Sequence, residues 1–291
     1  KGPINATLGV TWSATFNAMF HMTDPSIPKN AGCFRPIRIV AAPGSVTNVD
    51  YPAPEVAGNT ETHPRLAAIV IGALAQCMPE RAMASESGTG GNFVFGGHHL
   101  EHDEYFACYD LMSGGWGGRS YADGNDCVIA INGNCRFNPI EVFETRYPFL
   151  VEDCAMTPDS GGAGTWRGGL GIRRVFEVTS DEVTVSALFD RMKDGPWGLW
   201  GGADGVPGGI FVRQNGSAEY RTFTEVFGCV SPTKFVNIKL KRGDLILLLS
   251  PGGGGYGAPG ERAEQAARED FADGFISAKG ARAYGQDAES Y

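Results

Sequence analysis

Two periodicities divide the chain. Through residue 148 the apolar positions recur at helical spacing or in short runs between polar turns, and from Phe149 onward they alternate with a period of two. The first pattern predicts helices joined by loops, and the second predicts strands with one buried face. Residues 11–22 place Trp12, Phe16, Met19 and Phe20 on or near one face of a helix that should end before Asp24-Pro25. A second helix starts with Thr62 as N-cap and proline in its first turn. Residues 66–78 of that helix are apolar nearly all round, so it should be buried, and Pro79 stops it. Residues 37–40 and 127–131 read as short apolar strands. Residues 93–95 and 104–112 read as a hairpin, with Gly96 to Glu104 as its connection. Residues 140–144, after Pro139, form a short helix that Tyr147-Pro148 ends.

In the second half, residues 173–179 and 182–188 read as strands joined by a Ser180-Asp181 turn. Asn215-Gly216 between two apolar runs is the strongest short hairpin signal. Residues 235–240 and 245–249 repeat the hairpin scheme around Lys-Arg-Gly-Asp. The fold class is therefore α+β. Residues 1–148 form a mixed α/β part, 149–258 an antiparallel β barrel or sandwich with glycine-rich loops, and 259–291 a short helical tail.

Glycine changes this picture. It supplies 42 of 291 residues, about twice the usual share. Three stretches concentrate it: Ser113 to Arg119, Pro158 to Gly171 and Pro251 to Gly257. They are too glycine-rich for helix interiors and too polar for central strands. The fold is expected to bring the three together, and to hold the ring of Trp166 and the cation of Arg167 in fixed places.

The net charge of −9 and the lack of a basic patch or an aromatic-plus-basic motif argue against a nucleic-acid partner. No apolar run approaches membrane-spanning length. Seven scattered cysteines with no CxxC pair fit a reduced, cytoplasmic chain. The first residues carry neither a signal-peptide core nor an initiator Met, as expected of a processed chain or part of a longer protein.

Several motifs tempt. His98 and His102, at i and i+4 among acids, could bind a metal on a helix, but the preceding Gly-Gly favours an exposed hairpin turn. Asp159-Ser160-Gly-Gly is weakly similar to a serine-protease nucleophile loop and has no fitting His. GxSxG, HExxH and the GxxxxGK[ST] phosphate loop are absent. Glu61 and Thr62, at the positive end of a helix, mark a place for an anion or a polar substrate group, or merely a cap. Glu141 near the start of its short helix is the best-placed carboxylate of the front half, or merely complements the helix dipole.

Taken in order, the loops carry a resemblance. GPINAT (2–7), DPSIPKNAGCFRPI (24–37), APGSVTN (42–48), EVAGNTET (55–62), GGWGGR (114–119), NPIEVFETRYP (138–148), PDSGGAGTWRGGLGIRR (158–174), Asp190-Arg191, PWGLWGG (196–202) and PGGGGYG (251–257) together resemble the hydantoinase B/oxoprolinase family. That family includes N-methylhydantoinase, 5-oxoprolinase, caprolactamase and the acetone/acetophenone carboxylase subunits. The match covers about the C-terminal half of a family member. A His-Thr-His-Met-like strand usual before the Asn-Pro-(Ile/Val)-Glu motif is replaced here by Val128-Ile-Ala-Ile.

The resemblance implies a division of labour. A hydantoinase-A-like ATPase partner phosphorylates the oxygen of a lactam, cyclic imide or enolisable carbonyl. The B-type subunit then receives the activated intermediate. ATP and a divalent metal are expected on other chains, the metal on the N-terminal half of the B-type subunit, and neither a cofactor nor a metal is placed on this chain. Arg119 and Arg167, with Trp116 beside them, are the expected substrate-binding residues, the arginines holding a phosphate or carboxylate. Asp123 and Glu141 are the expected catalytic residues, orienting water or substrate. For these charged residues a role in bracing the loops is the alternative. The implied function is part of an ATP-dependent cyclic-amide hydrolase; the alternatives are an acetone/acetophenone-type carboxylase subunit or a non-catalytic scaffold chain.

Overall fold

The computed structural model describes residues 2–99 and 103–285. A helical layer comes first. Helix α1 spans Leu8–Met22, and the Thr7 side chain caps it by accepting from the Val10 amide. A single turn, α2, follows at Ala31–Phe34. A π-helical turn, Gly58–Thr62, runs without a break into α3, His63–Leu74. Thr62 is therefore not the expected cap: its backbone is helical, and its hydroxyl donates to the carbonyl of Ile4.

The buried face of α1 also differs from the expected one. Thr11, Ala14, Ala18 and Met22 are buried, and Ala18 and Met22 share a core with Ala67 and Ile71 of α3. Small side chains let the two helices approach closely. The large residues turn the other way: Trp12 is 47% exposed, and Phe16 stacks on Phe34 of α2 with ring centroids 4.2 Å apart. Helix α3 is not buried all round, since Ile69 is 56% exposed. Residues 37–40 are irregular rather than a strand.

Two antiparallel sheets follow. Strands β1 (Asn92–His99) and β2 (Glu104–Asp110) form the expected hairpin, though β1 runs on through Gly96 and Gly97. Helix α4 (Ile140–Arg146) precedes β3 (Phe149–Met156), β4 (Ile172–Val178) and β5 (Glu182–Leu188). Then come β6 (Gly209–Arg213), β7 (Arg221–Thr222), α5 (Phe223–Phe227), β8 (Lys234–Lys241) and β9 (Leu245–Leu249). One sheet has the order β2-β1-β5-β8 and the other β3-β4-β9-β6-β7. Both contribute to one core, with Phe93, Phe95, Val183 and Val185 from the first and Phe149, Phe176, Ile210 and Ile246 from the second. The fold is α+β as expected. Of the two all-β alternatives, the described strands form two open sheets over a shared core and do not close into a barrel.

The strands are where the alternation predicts them, but two of the expected hairpins are not. Strand β4 pairs with β3 and β9, and β5 with β1 and β8. The Ser180-Asp181 turn thus carries the chain from one sheet to the other. The 241–244 turn does the same between β8 and β9. Period two fixes which face is buried, not which partner lies alongside. The Asn215-Gly216 hairpin does form, but β7 is short because Thr222 and Glu225 make a capping box that starts α5. The β1–β2 hairpin, from before residue 148, lies in the same sheet as β5 and β8.

In the tail, α6 (Glu264–Ala272) and α7 (Ala278–Ala281) enclose a small core of Ala267, Ile276, Ala281 and Tyr284.

Candidate functional site

The three glycine stretches do converge. They meet backbone to backbone: the Gly253 amide donates to Gly169 O at 2.8 Å, Gly169 to Trp116 O at 2.7 Å, Gly118 to Gly254 O at 2.8 Å and Gly162 to Gly253 O at 2.8 Å. Residues 198–205 join the same bundle, with Leu199 donating to Gly255 O and Gly255 to Ala203 O, each at 2.9 Å. Side chains have no room here. A Cβ on Gly115 would stand 1.9 Å from Gly169 O, and one on Gly253 1.9 Å from Trp116 O. Residues 127–131 join this bundle in place of the expected strand, because their hydrogen bonds go to separate loops: Cys127 to Leu170 O and Val128 to Gly114 O.

Four of the five site residues expected from the sequence lie on this bundle. Arg167 and Asp123 are part of one buried ionic network. Arg167 Nη1 is 2.9 Å from Asp126 Oδ1, and its Nε is 3.4 Å from Asp270. Asp123 accepts from the Arg167 amide at 2.7 Å and from both Nη atoms of Arg262, at 2.7 and 2.8 Å. Arg119 closes its own turn, donating to Asp123 O at 2.6 Å and to Asn125 at 3.0 Å. Trp116 donates from its indole nitrogen to Ile129 O at 2.8 Å and packs its ring against His21. Glu141 stands apart. It is exposed on the first turn of α4, and its side chain makes no hydrogen bond among the described residues.

Glu86, Thr89 and Asn92, which no sequence motif marks, lie on the fully buried segment 84–92. This segment is wedged between the glycine bundle and α3: Gly254 donates to Ser85 O at 2.8 Å, and Ser87 to Gly115 O at 2.8 Å. Glu61 does not face solvent at the helix start. It is fully buried and is itself the acceptor at the centre of a polar cage. Thr89 Oγ1 donates to it at 2.6 Å, Asn92 Nδ2 at 2.7 Å, and the amides of Gly90 and Asp190 each at 3.1 Å. The Tyr109 hydroxyl donates to Asn92, which links the cage to the outer face of β2. Burial pushes the Glu61 carboxyl up to about 8, against the pull of Thr89. The cage joins residues up to 129 positions apart, so no local motif announces it.

Glu86 is the second buried carboxyl. Burial pushes it up to about 7, opposed by the Gly88 amide and the charge of Arg191. Its Oε1 has no hydrogen-bond partner. Arg191, 6% exposed, sits in the left-handed region at φ 59° and lies over the Trp197 ring with 4.5 Å to its centroid. Its Nη atoms donate to Gly195 O at 3.0 Å and to Ser85 Oγ at 2.7 Å.

Among the described residues, no three His, Cys, Asp or Glu side chains converge as metal ligands would. His98 Nε2 lies 3.3 Å from Asp103; His102 falls outside the described residues. All seven cysteines are free. No described helix is long and apolar enough to cross a membrane.

Known proteins share this fold. Residues 1–259 match the family model described as hydantoinase B/oxoprolinase. The chain is 37% identical to an uncharacterised protein of Methanocaldococcus jannaschii, over 96% of its own length and 46% of the other's. It is 31% identical to a 5-oxoprolinase of Dictyostelium discoideum, over 88% of this chain and 18% of that one. The crystal structure of an ATP-dependent caprolactamase from Pseudomonas jessenii superposes on 99% of this chain and 50% of its own, with a TM-score of 0.83 at 25% identity. The chain thus spans half or less of the length of these relatives. With its ordered motifs, its glycine bundle and a family match over nearly nine-tenths of its length, the chain belongs to the hydantoinase B/oxoprolinase family.

Proposed function

We propose that this chain is part of the B-type component of an ATP-dependent hydrolase that opens a cyclic amide such as a hydantoin, 5-oxoproline or a lactam. The observation that carries this reading is the unbroken family match over residues 1–259, supported by the superposition on caprolactamase. In this reading an A-type ATPase partner phosphorylates the amide oxygen. An amide resists hydrolysis because resonance stabilises it; phosphorylation makes the carbon electrophilic and gives it a good leaving group. The B-type component, completed by its N-terminal half, then receives the activated substrate.

The present chain supplies a rigid wall to that site. Its glycine bundle has little freedom to deform, because each segment is hydrogen-bonded on both sides to others. Arg167 and Asp123 contribute by holding the bundle to the tail, and Trp116 and Arg119 by shaping its rim. Glu141, exposed and without a partner, remains the one of the five able to reach outward. The metal that such a hydrolase would use has no fitting set of ligands among the described residues, and no step through it is assigned to this chain.

The test is turnover of hydantoin, 5-oxoproline and caprolactam by the reconstituted assembly, with and without ATP and with and without bicarbonate. ATP-dependent ring opening that ignores bicarbonate supports the hydrolase. Carboxylated product formed only with bicarbonate replaces it with a carboxylase. An intact assembly that turns over none of these leaves this chain as a scaffold.

A further inference from the structure

Beside the 189–194 loop lies a cleft of about 560 Å³. Its charged lining is four cations, Arg65, Arg191, Lys193 and Lys234, against two acids, Asp190 and Asp194. Asp190 is already engaged by Lys234 at 2.5 Å. Asp194 is exposed. The two arginines have no such partner. Among the described residues neither guanidinium forms an ion pair. Arg65 Nη1 and Arg191 Nε are buried with no acceptor. A buried donor left unmade is costly, so a native structure that keeps two on one cleft calls for a ligand.

The geometry holds the pair on either side of one glycine. A Cβ on Gly88, which has φ +65°, would stand 3.2 Å from Arg191 Nε and 3.3 Å from Arg65 Cδ. Trp197 covers one face of Arg191, and Ser85 and Gly195 occupy its Nη atoms, which leaves the Nε edge unsatisfied. Two cations so close repel each other. Burial, and then the charge of Arg65, push the Arg191 guanidinium down to about 10. An anion between them would relieve both the repulsion and the unmet donors.

We propose that Arg65 and Arg191 form a binding site for the oxyanion group, phosphoryl or carboxylate, of a small molecule that enters through this cleft. The cleft lining carries four cations against two acids, and this excess of positive charge favours one anionic group. In deepening the proposed function, this site would take the phosphoryl group of the activated substrate or the phosphate it releases. That last clause rests on the hydrolase reading, whereas the anion site does not.

The experiment is calorimetric titration of the full chain with inorganic phosphate and separately with acetate, in chloride-free buffer, for wild type, Arg65→Gln and Gly88→Ala. Circular dichroism first checks that each variant is folded. Arg65 is only partly buried, so its replacement is the variant expected to fold normally. Wild type should bind one anion saturably, and Arg65→Gln should weaken binding about tenfold or more, the scale of one lost charge-assisted hydrogen bond. Gly88→Ala should weaken it as well, by filling the space between the arginines. Tighter phosphate assigns a phosphoryl ligand, and tighter acetate a carboxylate. No saturable binding of either anion by folded wild type, or equal binding by folded Arg65→Gln, overturns the proposal whatever the turnover assay shows.

Discussion

The guanidinium of Arg262 grips both carboxylate oxygens of Asp123, at 2.7 and 2.8 Å, and reaches Asp270 with the same Nη2 at 2.7 Å. One side chain thus ties the helical tail to a turn of the front part, whose Asp123 also accepts from the Arg167 amide. Arg262→Ala would leave Asp123 and Asp270 short of a partner. It should lower unfolding stability by about 3–5 kcal/mol, read by urea denaturation. A change under about 1 kcal/mol would mean that the tail is not docked as described.

The glycine bundle makes a sharper prediction. Gly115→Ala forces a Cβ to within 1.9 Å of a backbone oxygen that no rotamer change can move. Loss of soluble, folded protein is expected, because three mutually bonded segments would have to separate. Gly260→Ala is the control, since nothing lies within 4 Å of its Cβ position. Its stability should stay within about 0.5 kcal/mol of wild type. Equal tolerance of the two changes would contradict the close packing.

Glu86 gives a pH signature. Its folded value is raised from 4.5 to about 7, so the native state holds its proton more tightly than the unfolded state. This group's contribution to stability is therefore full below about 4.5 and is lost as pH rises toward 7. Glu86→Gln removes that loss. The unfolding free energy of the variant relative to wild type, read by denaturation, should rise between pH 5 and pH 8 by on the order of 2–3 kcal/mol at most. A difference that is flat, or that falls with pH, would show that Glu86 is held ionised instead.

Glu141 separates catalysis from architecture. Because it is exposed and unpartnered, Glu141→Ala should leave stability within about 0.5 kcal/mol, whereas Arg119→Ala should cost about 1–3 kcal/mol by releasing the 119–125 turn. Turnover by the reconstituted assembly then decides the role of Glu141. An unchanged rate in the folded variant removes it from the reaction.

Strand positions were legible because alternation reports burial directly, as in residues 173–179 and 182–188. Pairing was not, because β4 and β5 follow one another in sequence yet lie in different sheets. The convergence of the glycine stretches was legible from composition, since only backbone-to-backbone packing needs glycine so densely. The aromatic face of α1 misled, because its size suggested core while small residues set the distance to α3. Among the candidate site residues, a charge next to glycine does not say whether its partner is substrate or protein. Arg167 found Asp126 and Asp270, and Asp123 found Arg262, up to 139 residues away. Glu61 meets Thr89, Asn92 and the Asp190 amide through contacts that no local spacing encodes.

The central claim is that this chain works as half of a B-type component beside an ATPase. Native mass spectrometry of the protein purified from its source, with metal analysis of the same sample, tests it most directly. The expected result is an assembly that also holds the other half of a family member, in the same or a separate polypeptide, and an A-type ATPase chain, with metal tracking that assembly. A metal-free monomer or homo-oligomer of this chain alone would contradict the account.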